Sequence, residues 1–209
     1  MATTIARAGQ TEIQDPPLAR FLFADTRSAL LWLALRVFLG YQWVTAGWHK
    51  VEDPAWMVTG DALKAFLVRA AAIPAAPAKP PITFDWYRSF LQYLIDAQAY
   101  TWFAKVVAVG EVLIGVALIL GLFTGIAAFF GGFMNWNFMM AGTASTNPLL
   151  FAIAVALILA WKVAGYYGLD RYVLPALGTP WQRGDAFRTG RGAPAPAAPA
   201  TAPRGSVPV

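Results

Sequence analysis

Two ionisable residues, Arg36 and Glu111, stand deep inside apolar stretches of the sequence. A cation at the centre of a membrane span costs about 2.5–3.5 kcal/mol on insertion scales, so such charges need a partner. Counting along each stretch puts the two side chains at depths that differ by about one helical turn, roughly 5 Å. This spacing predicts a buried Arg36–Glu111 pair. Both residues are candidate catalytic residues, and the buried carboxylate of Glu111 is suited to a proton route. The alternative is a pair that only fixes which helices are neighbours.

Arg36 also begins a stripe that could line a binding site. At steps of four, three, four and three residues, the stripe continues through Gly40, Trp43, Gly47 and Lys50. This spacing places all of them on one face of an α-helix. The two glycines let a second helix approach closely, and Trp43 offers a ring for stacking.

Five polar residues near the helix ends or in a later span are further candidates for the site. His49, Lys50 and Lys105 fall at helix ends on one side of the bundle, where they could form a basic mouth for an anion. Asn135 and Asn137 lie in the same half of a later span and could hydrogen-bond a ligand. Each of these residues also has a non-functional interpretation, which stays open. The cations and His49 could simply lie at the membrane interface, and Trp43 could belong to an interfacial tryptophan belt. The asparagines could bridge helices by hydrogen bonds.

Composition sets the class of protein. The chain has 209 residues, of which 58% are hydrophobic and 13% charged, whereas soluble domains carry roughly 25% charged residues. This difference favours an integral membrane protein. Cysteine is absent and His49 is the single histidine, which excludes disulfides, cysteine-ligated iron–sulfur clusters and Cys/His zinc sites, and we predict no metal site. The net charge of +5 does not indicate nucleic-acid binding, because no soluble domain remains to present a basic patch.

The pattern of apolar segments predicts an all-α, integral membrane four-helix bundle. Apolar runs of about 20 residues suit a bilayer, and short links between the later ones require antiparallel neighbours. The predicted spans are about 29–48, 102–121, 123–141 and 148–166. Between the first two, we predict two short amphipathic helices, one beginning near Asp53-Pro54 and one over 84–97.

The flanking regions suggest an orientation. Residues 1–28 form a polar N-terminal tail, 29–175 the membrane domain, and 176–209 an Arg/Pro/Ala-rich tail that we predict to be disordered. Basic residues near both ends favour cytoplasmic termini. The connection that contains the amphipathic helices would then be extracytoplasmic. We also predict that the lipid bilayer is a partner of the chain.

Several motifs of the chain, in order, resemble the DoxX/DoxD family of small membrane proteins. The resemblance covers roughly residues 28–175 and is carried by these segments: Leu35-Arg36-x-x-x-Gly40-x-x-Trp43-x-x-x-Gly47-x-x-Lys50, Trp56-x-x-x-Gly60, Trp86-Tyr87-x-x-Phe90-Leu91, Gly110-Glu111-x-x-x-Gly115, Asn135-x-Asn137-Phe138, Thr146-Asn147-Pro148 and Gly165-Tyr166-Tyr167-Gly168-Leu169-Asp170-Arg171. The pattern is most similar to the DoxD-like membrane subunit of thiosulfate:quinone oxidoreductase.

This resemblance implies a thiosulfate dehydrogenase (quinone) subunit that passes electrons from thiosulfate to membrane quinone. A DoxA-like or other redox subunit would be its partner, and quinone could be a cofactor, with none bound covalently. The resemblance also implies a bacterial or archaeal cytoplasmic membrane. Two other functions stay open: a non-catalytic accessory or scaffold subunit of a respiratory or redox-defence complex, and a small transporter. Homo-oligomerisation is equally open from the sequence.

Overall fold

The computed structural model describes residues 15–178, and within that range the chain is mostly helical and has no strand. The all-α class is therefore confirmed. Within the described range the helices are α1 Pro17–Ala24, α2 Ala29–Glu52, α3 Pro54–Met57, α4 Asp61–Ala71, α5 Asp85–Asp96, α6 Tyr100–Leu120, α7 Thr124–Met140, α8 Asn147–Leu159, α9 Trp161–Ala164 and α10 Asp170–Ala176. A short 3₁₀ turn, Thr26–Ser28, joins α1 to α2.

Helices α2 and α6 form the most extensive helix pair and run antiparallel. Their close approach depends on glycines: a Cβ added at Gly40 would lie 2.8 Å from the carbonyl oxygen of Gly115. One added at Gly47 would lie 2.8 Å from the Cβ of Glu111. Small residues at such a crossing let two backbones pack directly against each other. The α2 stripe predicted from spacing therefore faces the interior, where Arg36, Gly40, Trp43 and Gly47 are buried.

Helices α7 and α8 form a second pair, which packs against the first through α6–α7 and α2–α8 contacts. The α6–α7 turn is tight because Gly121 ends α6 in the left-handed conformation, with a φ of 65°. The backbone N–H groups of Leu169 and Asp170 donate to Leu120 and Gly121 at this turn. The segment after α9 is thereby held against the end of α6.

Helices α3, α4 and α5 cover the opposite end of the bundle, which we call the loop end. It is the end where α2 stops and α6 starts. A separate core forms here, in which Leu63, Leu67, Tyr87 and Leu91 are buried against residues at the start of α6. The two predicted amphipathic helices thus correspond to α3–α4 and α5, and they close the bundle at this end.

The outer faces of the bundle are apolar, as a lipid environment requires. On α6, large exposed residues recur at steps of four, three, four and three: Trp102, Val106, Val109, Leu113 and Val116. Soluble monomers rarely expose contiguous apolar patches of this kind. Within residues 15–178, two helices are long and apolar enough to cross a membrane, Thr26–Glu52 and Tyr100–Leu120. The apolar α8 is shorter, and the four-span topology stays a prediction.

Three element boundaries differ from those predicted. The first long helix extends to Glu52, not to about 48, which brings Lys50 inside it. The last predicted span is divided at Ala160 into α8 and α9. The predicted polar tail before residue 29 contains the amphipathic α1, whose Leu22 and Phe23 pack against the core. The predicted disorder of the C-terminal tail concerns residues that lie mostly outside the described range, as do residues 1–14.

Candidate functional site

The buried carboxylate Glu111 is paired with Lys50. Lys50 Nζ donates to Glu111 Oε2 at 2.6 Å, and the Glu111 side chain is only 1% exposed whereas that of Lys50 is 20% exposed. Lys50 Nζ also lies 5.4 Å from the centre of the Trp56 ring, a cation–π arrangement with the short α3 helix. The predicted Arg36–Glu111 pair is wrong.

The helix register explains the error. Because Gly47 lies directly opposite Glu111, the lysine one turn further along α2 reaches the carboxylate. Arg36 precedes Gly47 by 11 residues, which is about 16 Å along a helix. Counting depth along each predicted span missed this offset, because α2 continues to Glu52 and α6 begins at Tyr100, so the two helices overlap further at this end than the predicted spans do.

Arg36 instead lies at the other end of the bundle, where it is 1% exposed. Its Nη2 donates to the carbonyl oxygen of Tyr167 at 3.1 Å. Its guanidinium packs so closely on Gly121 and Gly168 that a Cβ at Gly121 would overlap it. The nearby Asp170 accepts from the backbone N–H groups of Phe123 and Thr124 at 2.6 and 2.8 Å, at the start of α7. Arg36 therefore joins α2 to two turns and has no contact with Glu111.

A cavity of about 340 Å³ surrounds the Lys50–Glu111 pair beneath α3 and α4. We call it the polar cavity. Its walls are Gln42, Trp43, Ala46, Lys50, Trp56, Phe66, Glu111, Asn135, Phe138, Thr143, Ser145, Thr146, Asn147 and Leu150. Four of the residues singled out from the sequence, Trp43, Lys50, Glu111 and Asn135, meet here although they come from three different helices.

Three buried polar atoms in the walls of the polar cavity have no hydrogen-bond partner within the described residues. They are Trp43 Nε1, Glu111 Oε1 and Asn135 Oδ1, and each of the three residues is at most 3% exposed. An unmade hydrogen bond at a buried group costs about 1–3 kcal/mol. Trp43 Nε1 lies against Gly131, where an added Cβ would be 2.9 Å from it. The unpaired groups that the cavity can offer a ligand are therefore the oxygens of Glu111 and Asn135.

Asn147 is a site residue that the sequence interpretation missed. Asn135 Nδ2 donates to Asn147 Oδ1 at 2.9 Å, and Asn147 Nδ2 donates to the Thr143 carbonyl oxygen at 3.1 Å. The position before Pro148 suggested only a helix start, yet no side-chain cap forms there. Asn147 instead holds the α7–α8 loop against the cavity. The sequence could have indicated this role, because Asn135 and Asn147 are only 12 residues apart and a short link between two helices brings such positions together.

A second cavity, of about 170 Å³, adjoins the first, and we call it the apolar cavity. Its walls are Leu63, Phe66, Leu67, Tyr87, Phe90, Leu91, Leu94, Phe103, Val107, Phe133, Met134, Asn137 and Phe138. The Tyr87 hydroxyl donates to the Asn137 backbone oxygen at 2.9 Å and lies 3.2 Å from its side-chain oxygen. Burial raises the pKa of Tyr87 to about 12. Asn137 therefore belongs to this cavity and not to the polar one.

The remaining candidates lie outside both cavities. His49 and Lys105 are exposed on α2 and α6 near the loop end, and neither lines the polar cavity. The predicted basic mouth with Lys50 is thus not assembled in this structure, because Lys50 turns inward to Glu111. Among residues 15–178, no group of three or more His, Asp or Glu side chains is arranged to hold a metal ion.

Apolar outer faces, two helices of membrane-spanning length and a charged pair buried beside a cavity define an α-helical membrane protein with an internal polar site. The DoxX family model matches residues 31–144. The match covers more than half of the chain and includes the polar residues of both cavities up to Thr143. The chain belongs to the DoxX family, which confirms the family predicted from its motifs. No curated protein and no solved structure matches it.

Proposed function

We propose that the polar cavity binds the ring of a membrane quinone and that this protein is the quinone-binding membrane subunit of an oxidoreductase. The observation that carries the proposal is the set of unpaired buried atoms around the Lys50–Glu111 pair. Ligand sites combine a mostly apolar lining with a few polar groups that fix orientation. The polar cavity has this composition, and its volume of about 340 Å³ lies in the range of roughly 300–1,000 Å³ typical of such sites.

The shape and polarity of the walls suit a flat ring with oxygens at opposite edges. Trp43, Trp56, Phe66 and Phe138 supply aromatic surface. Lys50 can donate to a quinone oxygen while it stays near Glu111. The unused oxygens of Glu111 and Asn135 would accept from the hydroxyl groups of the reduced form.

Quinone reduction consumes two electrons and two protons, and the Lys50–Glu111 pair can deliver the protons. Glu111 is buried at the cavity wall, and Lys50 is partly exposed and touches it at 2.6 Å. A proton can therefore pass from solvent through Lys50 and Glu111 to a ring oxygen. If thiosulfate is the reductant, two thiosulfate ions lose two electrons and join as tetrathionate, while one quinone gains the two electrons and two protons.

We assign thiosulfate oxidation to a separate subunit, because the polar cavity holds a carboxylate and the exposed His49 and Lys105 lie outside it. A DoxA-like redox partner is the expected electron donor. The proposed orientation places both termini in the cytoplasm and the loop end outside. A partner at the loop end would then contact α4 and α5 above the polar cavity.

Quinone binding by the purified protein in detergent tests this proposal. A short-chain quinone should bind with a measurable Kd. Trp43→Leu, which removes aromatic surface, and Asn135→Leu, which removes an acceptor, should each weaken binding by about tenfold, the equivalent of about 1.4 kcal/mol. Lys105→Gln is the matched control, since Lys105 is exposed and lines neither cavity. Unchanged affinity in the cavity variants, or no binding by the parent protein, would refute the quinone site.

Turnover separates the enzyme from an accessory subunit. With neighbouring gene products added, thiosulfate-dependent quinone reduction should require this chain and fall at least a hundredfold in Glu111→Gln. The variant must remain folded and membrane-inserted for the result to count, which detergent gel filtration can check. Full turnover without this chain would assign it a non-catalytic role.

A further inference from the structure

We infer that the apolar cavity holds the hydrocarbon chain of the molecule whose ring occupies the polar cavity, so the ligand is an amphiphile with one polar end. This inference rests on the proposed function and extends it from the ring to the whole ligand. It predicts that the two cavities act as one site for a long-chain quinone.

The two cavities share a wall. Phe66 of α4 and Phe138 of α7 line both of them. Their rings meet edge to face, with centres 6.2 Å apart and planes at 87°. Both residues border the two cavities with their side chains, and side chains change rotamer on much shorter timescales than helices move. A ligand can therefore extend from one cavity to the other past this pair.

The polarity of the two linings is opposite. In the apolar cavity, the Tyr87 hydroxyl donates to Asn137, and Asn137 Nδ2 donates to the Phe133 carbonyl oxygen. In the polar cavity, Glu111 and Asn135 each keep an unpaired oxygen. A lining whose polar atoms are already satisfied favours hydrocarbon, because nothing is left for the ligand to hydrogen-bond. Only an occupant with a polar end and an apolar chain complements both cavities.

The apolar cavity also leads outward to the lipid-facing surface. Its wall residues Phe90 and Phe133 are 43% and 52% exposed, whereas Leu67 and Leu91 on its inner side are 3% exposed. A chain that lies in this cavity can therefore continue between α5 and α7 into the bilayer. The same path would admit the ligand from the membrane.

Two neighbouring valines on α6 provide a matched test. Val107 lines the apolar cavity, while Val106 is 54% exposed on the lipid-facing side. Val107→Phe should fill the cavity, and Val106→Phe should leave it unchanged. The probes are a benzoquinone carrying a decyl chain and the same benzoquinone ring without the chain, with affinity measured by titration of the purified protein.

The expected result is that Val107→Phe weakens binding of the decyl quinone at least tenfold and leaves binding of the chainless ring within twofold. Val106→Phe should alter neither. Equal affinity of the parent protein for both probes, or equal loss of both in Val107→Phe, would overturn the chain site. Failure of both probes to bind the parent protein would instead remove the ring site, and with it the proposed function.

Discussion

Lys50 reaches back from the last turns of α2 to hold Glu111 of α6, with 2.6 Å between Nζ and Oε2. The two side chains differ sharply in surroundings, because Glu111 is 1% exposed and Lys50 is 20% exposed. The pair thus links the interior of the bundle to the space beneath α3 and α4. It also ties the two longest helices together at the level of the polar cavity.

Removing one member of this pair should cost more than removing both. Lys50→Met leaves a buried carboxylate without a counter-charge, which costs about 3–5 kcal/mol. The double variant Lys50→Met/Glu111→Leu should recover most of this loss, because an apolar pair of similar volume needs no charge compensation. Thermal unfolding in detergent measures the difference.

Lys105→Met serves as the control for that series and should change stability by no more than about 0.5 kcal/mol, as is usual for an exposed position. A double variant as unstable as Lys50→Met alone would show that the pair does not account for the loss.

Substitution by alanine should have opposite effects on stability at two glycines of α6, Gly115 and Gly110. A Cβ at Gly115 would lie 2.7 Å from the carbonyl oxygen of Gly40, whereas a Cβ at Gly110 would meet nothing within 4 Å. We expect Gly115→Ala to destabilise the protein by about 1–3 kcal/mol through overpacking against α2. Gly110→Ala should stabilise it by up to about 1 kcal/mol, since alanine favours the helix more than glycine. Unfolding midpoints of the two variants check this, and equal shifts would contradict the close α2–α6 packing.

Periodicity identified the interior faces but not the partners across them. The stripe from Arg36 to Gly47 is buried as its spacing predicts, and Glu111 shares the buried face of α6 with Ala104, Ala108 and Gly115. Side-chain spacing is a local property of one helix, so it is readable in the sequence. The α2–α6 register is not local, because it depends on which glycines meet at the crossing. A shift of about four helical turns separates the predicted partner of Glu111, Arg36, from the observed one, Lys50.

Only the tertiary structure shows which of the candidate residues predicted from the sequence lie at the polar cavity. Trp43, Lys50 and Asn135 meet at the polar cavity, but His49 points from another face of α2, one residue from Lys50. Adjacent helical residues diverge by about 100°, so nearness in sequence is a poor guide to shared function here. Asn147 enters the cavity only because the α7–α8 loop folds back on Asn135.

The turn that contains Asp170 should be needed for a stable α7. Its carboxylate accepts from two backbone N–H groups at the start of that helix, and loss of such a cap costs about 0.5–2 kcal/mol. Asp170→Ala should lower the unfolding midpoint accordingly, and Asp170→Asn, which keeps one acceptor, should lower it less. Asp61→Ala is the control, because Asp61 is exposed at the start of α4 and its side chain makes no capping bond there. Equal effects of the two alanine variants would show that the cap is unimportant.

Tyr87 should make the protein sensitive to alkaline pH. Burial raises the pKa of its hydroxyl from 10.0 to about 12, so the neutral form that donates to Asn137 favours the folded state. Its contribution to stability is complete below pH 10 and is lost as the pH rises towards about 12.

Tyr87→Phe should therefore lower stability by about 1 kcal/mol near neutral pH, the usual worth of one hydrogen bond. It should also flatten the decline of stability between pH 10 and 12. Tyr93→Phe, at a 67% exposed position of the same helix, should leave both unchanged. Unfolding midpoints across this pH range decide the matter, and an equal alkaline decline in all three proteins would exclude a role for the Tyr87 hydroxyl.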